Sequence, residues 1–140
     1  MDPIILACLV STAAMTGLIW FVQVVHYPLF EAVGRDAFVE YERRHTVLTT
    51  YVVMPLMLVE LGTSLWLAYQ PPRGATLEFQ VGAVLVVLIW LSTFLLQVPK
   101  HRVLETQFDR QTWQSLVQSN WIRTILWTAH LTITCVAVLW

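Results

Sequence analysis

The sequence predicts an all-α integral membrane protein, an antiparallel bundle of four helices in a single domain. Of its 140 residues, 57% are hydrophobic and 12% are charged, whereas an ordinary soluble domain has about 45–50% and about 25%. Segments 3–30, 79–99 and 124–140 contain no charged residue, and segment 45–72 contains only Glu60. A bilayer-spanning helix needs about 20 apolar residues, so each of these four stretches is long enough for one crossing.

The first span is predicted over about residues 4–27. It ends at His26-Tyr27-Pro28, because the residue before a proline is pushed out of helical geometry. The N-terminal Met-Asp-Pro lacks the basic region and the small-residue cleavage site of a secretory signal. We therefore expect this helix to remain in the mature protein.

The second span is predicted over about residues 46–69, within a helix that begins near Arg35 and extends from the membrane on the cytoplasmic side. Apolar side chains at helical spacing over 38–48 favour this extension. Pro55 removes a backbone donor, which predicts a kink in this helix near Tyr51 to Pro55.

The third and fourth spans are predicted over about residues 79–98 and 121–140. A short, stiff turn at 70–74, which contains two prolines, precedes the third span, and Pro99 is expected to end it. The fourth helix is expected to begin before its span, with Asp109 as its N-cap. It too therefore extends on the cytoplasmic side.

The basic residues predict the orientation of the bundle. Seven of the eight Lys and Arg residues lie in or beside the connections at one face, and Arg73 alone lies at the other. Because basic residues favour the cytoplasmic face, we expect a multi-pass protein of a bacterial inner (plasma) membrane with both termini on the non-cytoplasmic side. The seven are Arg35, Arg43, Arg44, Lys100, Arg102, Arg110 and Arg123.

Two features of the composition narrow the function. The net charge of -1 and the lack of a basic cluster with interleaved aromatics argue against a nucleic-acid partner. Cys8 and Cys135 are the two cysteines, and both lie in apolar segments without Cys-x-x-Cys spacing. They are interpreted as buried thiols that pack as small apolar residues. A disulfide between the first and last helices is the alternative.

Ionisable residues inside a span are costly and suggest function. Glu60 and His130 lie near the middle of the second and fourth spans, so the sequence predicts that they meet if these helices face each other. The pair is a candidate catalytic site for proton transfer, or half of a metal site. A hydrogen-bonded lock between helices is the structural alternative. Arg123 shares a helix face with Asn120 and is a third catalytic candidate, which would bind an anion or a substrate carbonyl.

Three histidines end or begin spans at a similar depth on three different helices, namely His26, His45 and His101. A helical bundle assembles metal and haem sites from ligands that are far apart in sequence. These histidines are therefore candidate ligands of a metal ion or a haem iron, and polar tips among lipid headgroups are the alternative. The polar side chains on matching faces, which are candidates for holding the cofactor, are Gln23, Gln97 and Asn120.

The chain has a short first helix ending in His-Tyr-Pro, a long second helix, a third ending in Val-Pro-Lys-His-Arg-Val-Leu, and a polar helix leading to Asn-Trp-Ile-Arg-Thr. In this pattern it resembles, over nearly its whole length, the small four-span membrane proteins of the anthrone-oxygenase-like family. In that family, a helix-three end with Pro, a polar residue and Leu, and a helix-four start with Trp and Arg, recur in similar positions. The resemblance implies oxidation of phenolic, anthrone-like rings, and it does not account for the three histidines.

These features together predict a membrane-embedded oxidoreductase that acts on a small lipophilic aromatic or quinone-like substrate. Its metal or haem site would lie near the cytoplasmic face. One alternative is a non-enzymatic subunit or assembly factor of a larger membrane complex, which docks a partner through its protruding helices. A further alternative is a small proton-coupled multidrug transporter, a homo-oligomer that uses Glu60, although the charge asymmetry and the clustered histidines argue against it.

Overall fold

Four long helices form an antiparallel bundle in the computed structural model, which describes residues 2–72 and 74–139. The predicted fold class is confirmed, since each helix is long and apolar enough to cross a membrane. Arg73 and Trp140, which belong to the predicted turn and fourth span, lie outside the described residues. The helices cover Pro3–Ala32, Arg35–Tyr69, Thr76–Leu104 and Arg110–Leu139.

The first helix changes its winding where the sequence predicts its end. Helix α1 runs over Pro3–Phe21, and the Asp2 carboxylate caps it by accepting a hydrogen bond from the Ile4 N–H (2.7 Å). A π-turn follows over Val22–His26, and a 3-10 helix covers Pro28–Ala32. A π-turn inserts one extra residue into a helix. The residues that follow it are therefore rotated by about 100° from where an uninterrupted α-helix of the same sequence would place them.

Helix α2 covers Arg35–Tyr69 as one continuous α-helix. It begins at Arg35, as the sequence predicts, and so extends well beyond the length that a bilayer needs. Pro55 lies inside it on an exposed face. The kink near this proline stays a prediction.

The prediction that Pro99 ends the third span is wrong. Helix α3 (Thr76–Ser92) passes through a π-turn over Thr93–Gln97 into helix α4 (Val98–Leu104). Pro99 therefore lies in the first turn of α4, where the helix needs no backbone donor. The Lys100 Nζ also donates to the Leu96 carbonyl (2.9 Å).

Helix α5 covers Arg110–Leu139. Its predicted N-cap is confirmed, because the Asp109 carboxylate accepts a hydrogen bond from the Thr112 N–H (2.7 Å). The helix buries one seam at alternating spacings of three and four residues, and an unusual share of this seam is polar. The seam consists of Trp113, Leu116, Asn120, Arg123, Trp127, His130 and Thr134.

The helices pack as a ring in which α1 contacts α2 and α5, and α3 contacts the same two helices. Both termini therefore lie at one end of the bundle. We call the opposite end, which carries the connections after the first and third spans, the distal end. Large apolar side chains fill the bundle between the two ends, among them Met15, Met57, Ile89 and Trp127.

Candidate functional site

Side chains from α2, α4 and the turns after α1 meet at the distal end, and we call them the histidine cluster: His26, Tyr27, Glu42, His45 and His101. The Nε2 of His26 lies 3.0 Å from the Nδ1 of His45. The Tyr27 hydroxyl lies 2.9 Å from the Nε2 of His101, and the Nδ1 of His101 contacts the Glu42 carboxylate. The three predicted histidines thus converge at one end of the bundle.

The structure also brings in an acidic residue that sequence reasoning missed. Glu42, His45 and His101 each offer one ligand atom, and these atoms lie within 4.8 Å of one another. His26 lies beside this group and hydrogen-bonds to His45. The sequence feature that could have identified Glu42 as a site residue is its Glu-x-x-His spacing to His45, which places both side chains on one helix face.

Glu42 occupies an unusual environment for a carboxylate. It has 0% exposure, and one oxygen contacts His101. Its other oxygen, Oε2, has no hydrogen-bond partner among the described residues. A buried carboxylate is strongly destabilising unless it is paired or coordinates a metal, so the contact with His101 is needed to keep Glu42 in this position.

A second group of polar side chains lies deeper in the bundle. The Asn120 side-chain amide donates to the Gln23 carbonyl oxygen (3.0 Å), and Arg123 donates to Asn120 (3.2 Å). The Arg123 guanidinium also lies over the Trp127 ring, 5.0 Å from its centroid. The structure thus joins three predicted site residues, Gln23, Asn120 and Arg123, in one chain of contacts.

Glu60 and His130 meet in the middle of the bundle, and their predicted contact is confirmed. The Nδ1 of His130 lies 2.9 Å from Glu60 Oε1. The Trp127 indole N–H donates to the same carboxylate, 2.9 and 3.1 Å from its two oxygens. Trp127 therefore links this pair to Arg123, although indole, a donor only, does not relay protons between them.

The mid-bundle pair continues towards the termini through weaker contacts. The Ser64 hydroxyl lies 3.5 Å from the Nε2 of His130 and 3.6 Å from the Cys8 sulfur. Both Cys8 and Cys135 are free thiols, so the alternative of a disulfide is not found. The contacts of this group hold together α1, α2 and α5.

Gln97 lies apart from Gln23 and Asn120. Its amide donates to the Ser119 hydroxyl (3.1 Å), which also accepts a hydrogen bond from Lys100. The π-turn that ends at Gln97 buries this side chain. The three polar residues predicted to act together therefore divide between two places.

A cavity of about 300 Å³ lies beneath the histidine cluster, between α2 and α3. Its polar end is formed by Tyr27, His45, His101 and Arg123, and its walls are largely apolar. Some lining residues are exposed on the outside of the bundle, among them the apolar Phe94 and the charged Arg102, so the cavity reaches the surface. Further wall residues are Leu18, Ile19, Val22, Val53, Met54, Met57 and Trp90.

Two side chains that line this cavity, Arg123 and Trp90, each have one buried N–H without a partner among the described residues, namely the Arg123 Nε–H and the Trp90 indole N–H. Buried donors are nearly always paired, so an unpaired one calls for an explanation such as a ligand or a water molecule. Both side chains line the same cavity, and a small shift of either would turn its enclosed N–H towards a bound molecule. The cavity is therefore a candidate binding site for a molecule that carries an acceptor oxygen.

Comparison with protein-family models, with curated proteins and with solved structures gives no match to this chain.

Proposed function

We propose that the protein is a membrane-embedded oxidoreductase that acts on a small lipophilic molecule bound in the cavity between α2 and α3. The observation that carries this proposal is the cavity itself. It combines a largely apolar surface with two lining side chains, Arg123 and Trp90, whose buried N–H groups have no partner among the described residues. Its volume of about 300 Å³ lies at the small end of the range of ligand pockets.

The donors at the polar end favour a substrate with a carbonyl or phenolic oxygen. Arg123 Nε and the Trp90 indole N–H both need an acceptor, whereas the walls of the cavity suit a flat ring. A hydroquinone-like ring meets both requirements. The resemblance to the anthrone-oxygenase-like family, which stays a prediction, points to a similar class of ring.

The proposed reaction removes two hydrogen atoms from a hydroquinone to leave a quinone. The two electrons and two protons pass to dioxygen, which is reduced to hydrogen peroxide. Tyr27 and His101 lie together at the polar end, with the hydroxyl and Nε2 2.9 Å apart. A proton from the substrate hydroxyl would pass to this pair, since a positioned acid–base group accelerates such a transfer about 10²–10⁴-fold.

The orientation is part of the same proposal. Six exposed or half-buried basic residues near the distal end, together with the buried Arg123, support an orientation with this end at the cytoplasmic face of a bacterial plasma membrane. Reporter fusions at each terminus test this arrangement: a phosphatase that is active only outside the cytoplasm should be active at both ends of the chain.

Equilibrium dialysis of naphthoquinone against the purified protein in detergent measures its binding and so tests the proposed cavity. Arg123→Gln removes a charged hydrogen bond of about 1.5–3 kcal/mol, so we expect binding about 10–100-fold weaker. Trp90→Phe keeps the aromatic wall and removes one neutral donor, which predicts a loss of about 2–10-fold. Lys100→Gln is the matched control, because Lys100 binds Ser119 and Leu96 outside the cavity.

Oxygen consumption with naphthohydroquinone tests the reaction. We expect turnover by the wild-type protein and a loss of kcat in Tyr27→Phe that exceeds the change in KM. Equal binding by the wild-type protein and Arg123→Gln would refute the cavity as the substrate site. Saturable binding without any oxygen consumption would refute the oxidoreductase proposal, and failure of both assays would favour the non-enzymatic subunit.

A further inference from the structure

We propose that Glu42, His45 and His101 bind a single divalent transition-metal ion. The proposal rests on the proposed function only in placing this ion beside the substrate cavity. Three ligand atoms within 4.8 Å of one another need only small side-chain movements to reach a common ion at bond lengths of about 2.0–2.2 Å.

The unpaired carboxylate oxygen is the first independent observation in favour of an ion. Glu42 is fully buried, and its Oε2 has no partner among the described residues. A cation at this position would remove the electrostatic penalty of the buried charge. The contact between Glu42 Oε1 and His101 Nδ1 would then open, with the ion replacing the shared proton.

The outer hydrogen bonds of the two imidazoles are the second observation. His45 uses its Nδ1 for contacts to His26 (3.0 Å) and Thr49 (3.1 Å), which leaves Nε2 for an ion. His101 uses its Nε2 for the Tyr27 hydroxyl, which leaves Nδ1. Metal-binding histidines usually have one nitrogen held by such a partner, which sets the orientation of the ring.

The ligand set indicates the class of metal. Two imidazoles and one carboxylate with open positions are typical of non-haem Fe(II) sites, and the same set binds Zn²⁺. His45 and His101 both line the cavity, so the open positions would face the bound molecule. Fe(II) suits the proposed oxidation, because Zn²⁺ has no redox chemistry.

A haem fits this place poorly. The His45 ring packs against His26, Phe30 and Tyr41, with centroid distances of 4.6, 5.3 and 6.3 Å. A macrocycle bound through the free Nε2 would also have to fit in the cavity of about 300 Å³, which lies at the small end of the range of ligand pockets. The sequence prediction of a metal or haem site thus becomes the proposal of a single ion, and His26 becomes a positioning residue for His45.

The site is tested by titrating the purified protein with Co(II) alone. Visible absorption monitors the titration, and metal analysis after gel filtration gives the amount of Co(II) bound. We expect one Co(II) per chain. Glu42→Gln and His101→Gln should weaken its binding more than 100-fold, whereas His26→Gln, which removes an outer partner, should weaken it about 10–100-fold. Glu31→Gln is the matched control, because this exposed carboxylate pairs with Arg110 away from the cluster.

Circular dichroism of each variant shows whether it is folded, and naphthoquinone binding by Glu42→Gln separates the two proposals, because Glu42 does not line the cavity. Loss of Co(II) binding with retained naphthoquinone binding in Glu42→Gln supports the metal site. Co(II) affinity that is the same in wild type and Glu42→Gln, or that is lost in His26→Gln but not in Glu42→Gln, overturns it. Wild-type protein that binds naphthoquinone but no Co(II) also overturns the metal site and leaves the proposed substrate site intact.

Discussion

The contact between Glu60 and His130 should stabilise the bundle measurably. Both side chains are almost fully buried, and they join α2 to α5 through a hydrogen bond of 2.9 Å. A double-mutant cycle of Glu60→Ala and His130→Ala isolates this contact, because the cavities that the two truncations leave cancel to a first approximation. We expect each single substitution to destabilise the protein and the double substitution to cost less than their sum.

The magnitude of the coupling follows from the surroundings of the pair. Hydrogen bonds between helices in a membrane average about 0.6 kcal/mol and reach about 1.7 kcal/mol. A hydrogen bond to an ionised partner is roughly twice as strong as a neutral one. Because this pair joins a carboxylate to an imidazole in a dry interior, we expect a coupling free energy of about 1–3 kcal/mol.

The four proteins of the cycle are unfolded in mixed micelles with an increasing fraction of dodecyl sulfate. Circular dichroism then gives the free energy of unfolding of each protein. A second cycle, between Ser64 and His130, is the control, because their contact of 3.5 Å is too long to be strong. A Glu60–His130 coupling no larger than the control coupling would refute the reasoning and would leave this pair without a stabilising role.

Three further predictions concern stability and use the same unfolding assay. A Cβ at Gly82 would lie 3.3 Å from the His130 ring, which Glu60 holds in place. Gly82→Ala should therefore destabilise the protein by about 1–3 kcal/mol. Gly17→Ala is the control and should not destabilise it, because a Cβ at Gly17 meets open space. Hydrogen bonds from the Thr112 side chain and backbone lower the pKa of Asp109. The stabilisation of α5 by the Asp109 carboxylate should therefore be present above the ordinary pKa of an aspartate and disappear as the pH falls through the lowered pKa. Asp109→Ala should remove this pH dependence. The Arg110–Glu31 pair is exposed on both sides, so Arg110→Ala should change stability by less than about 1 kcal/mol, and a larger effect would contradict a surface role.

Much of the fold follows from where the chain tolerates charge. The uncharged segments identify the four spans, and the short connections make them antiparallel. Asp109 as a cap and the meeting of Glu60 with His130 are also predictable, because one depends on local hydrogen bonding and the other on depth in the bundle. Local hydrogen bonding acts over a few residues, and depth is measured along the bundle axis alone, so both can be judged from the sequence.

The rest depends on packing that no local pattern reveals. The π-turns over Val22–His26 and Thr93–Gln97 have no sequence signature, and the second of them explains why Pro99 does not end its helix. Glu42 is hidden in a charged stretch whose neighbours face outward, including Arg43 and Arg44. Its burial depends on how α2 rotates against α4, so only its spacing to His45 could have indicated it.

The two π-turns mark the places where the first and third helices each hold one extra residue. Each contains a lipid-facing residue, Val24 and Leu95, and a π-turn is what a helix forms when one residue is inserted into it. Deleting Val24 or Leu95 would restore an ordinary helix and leave the residues after it facing as they do now, because the π-turn already absorbs the extra residue. A deletion elsewhere in either helix would instead rotate everything after it by about 100°. Each π-turn is therefore the place where its helix could lose one residue without turning Tyr27 or His101 away from Glu42.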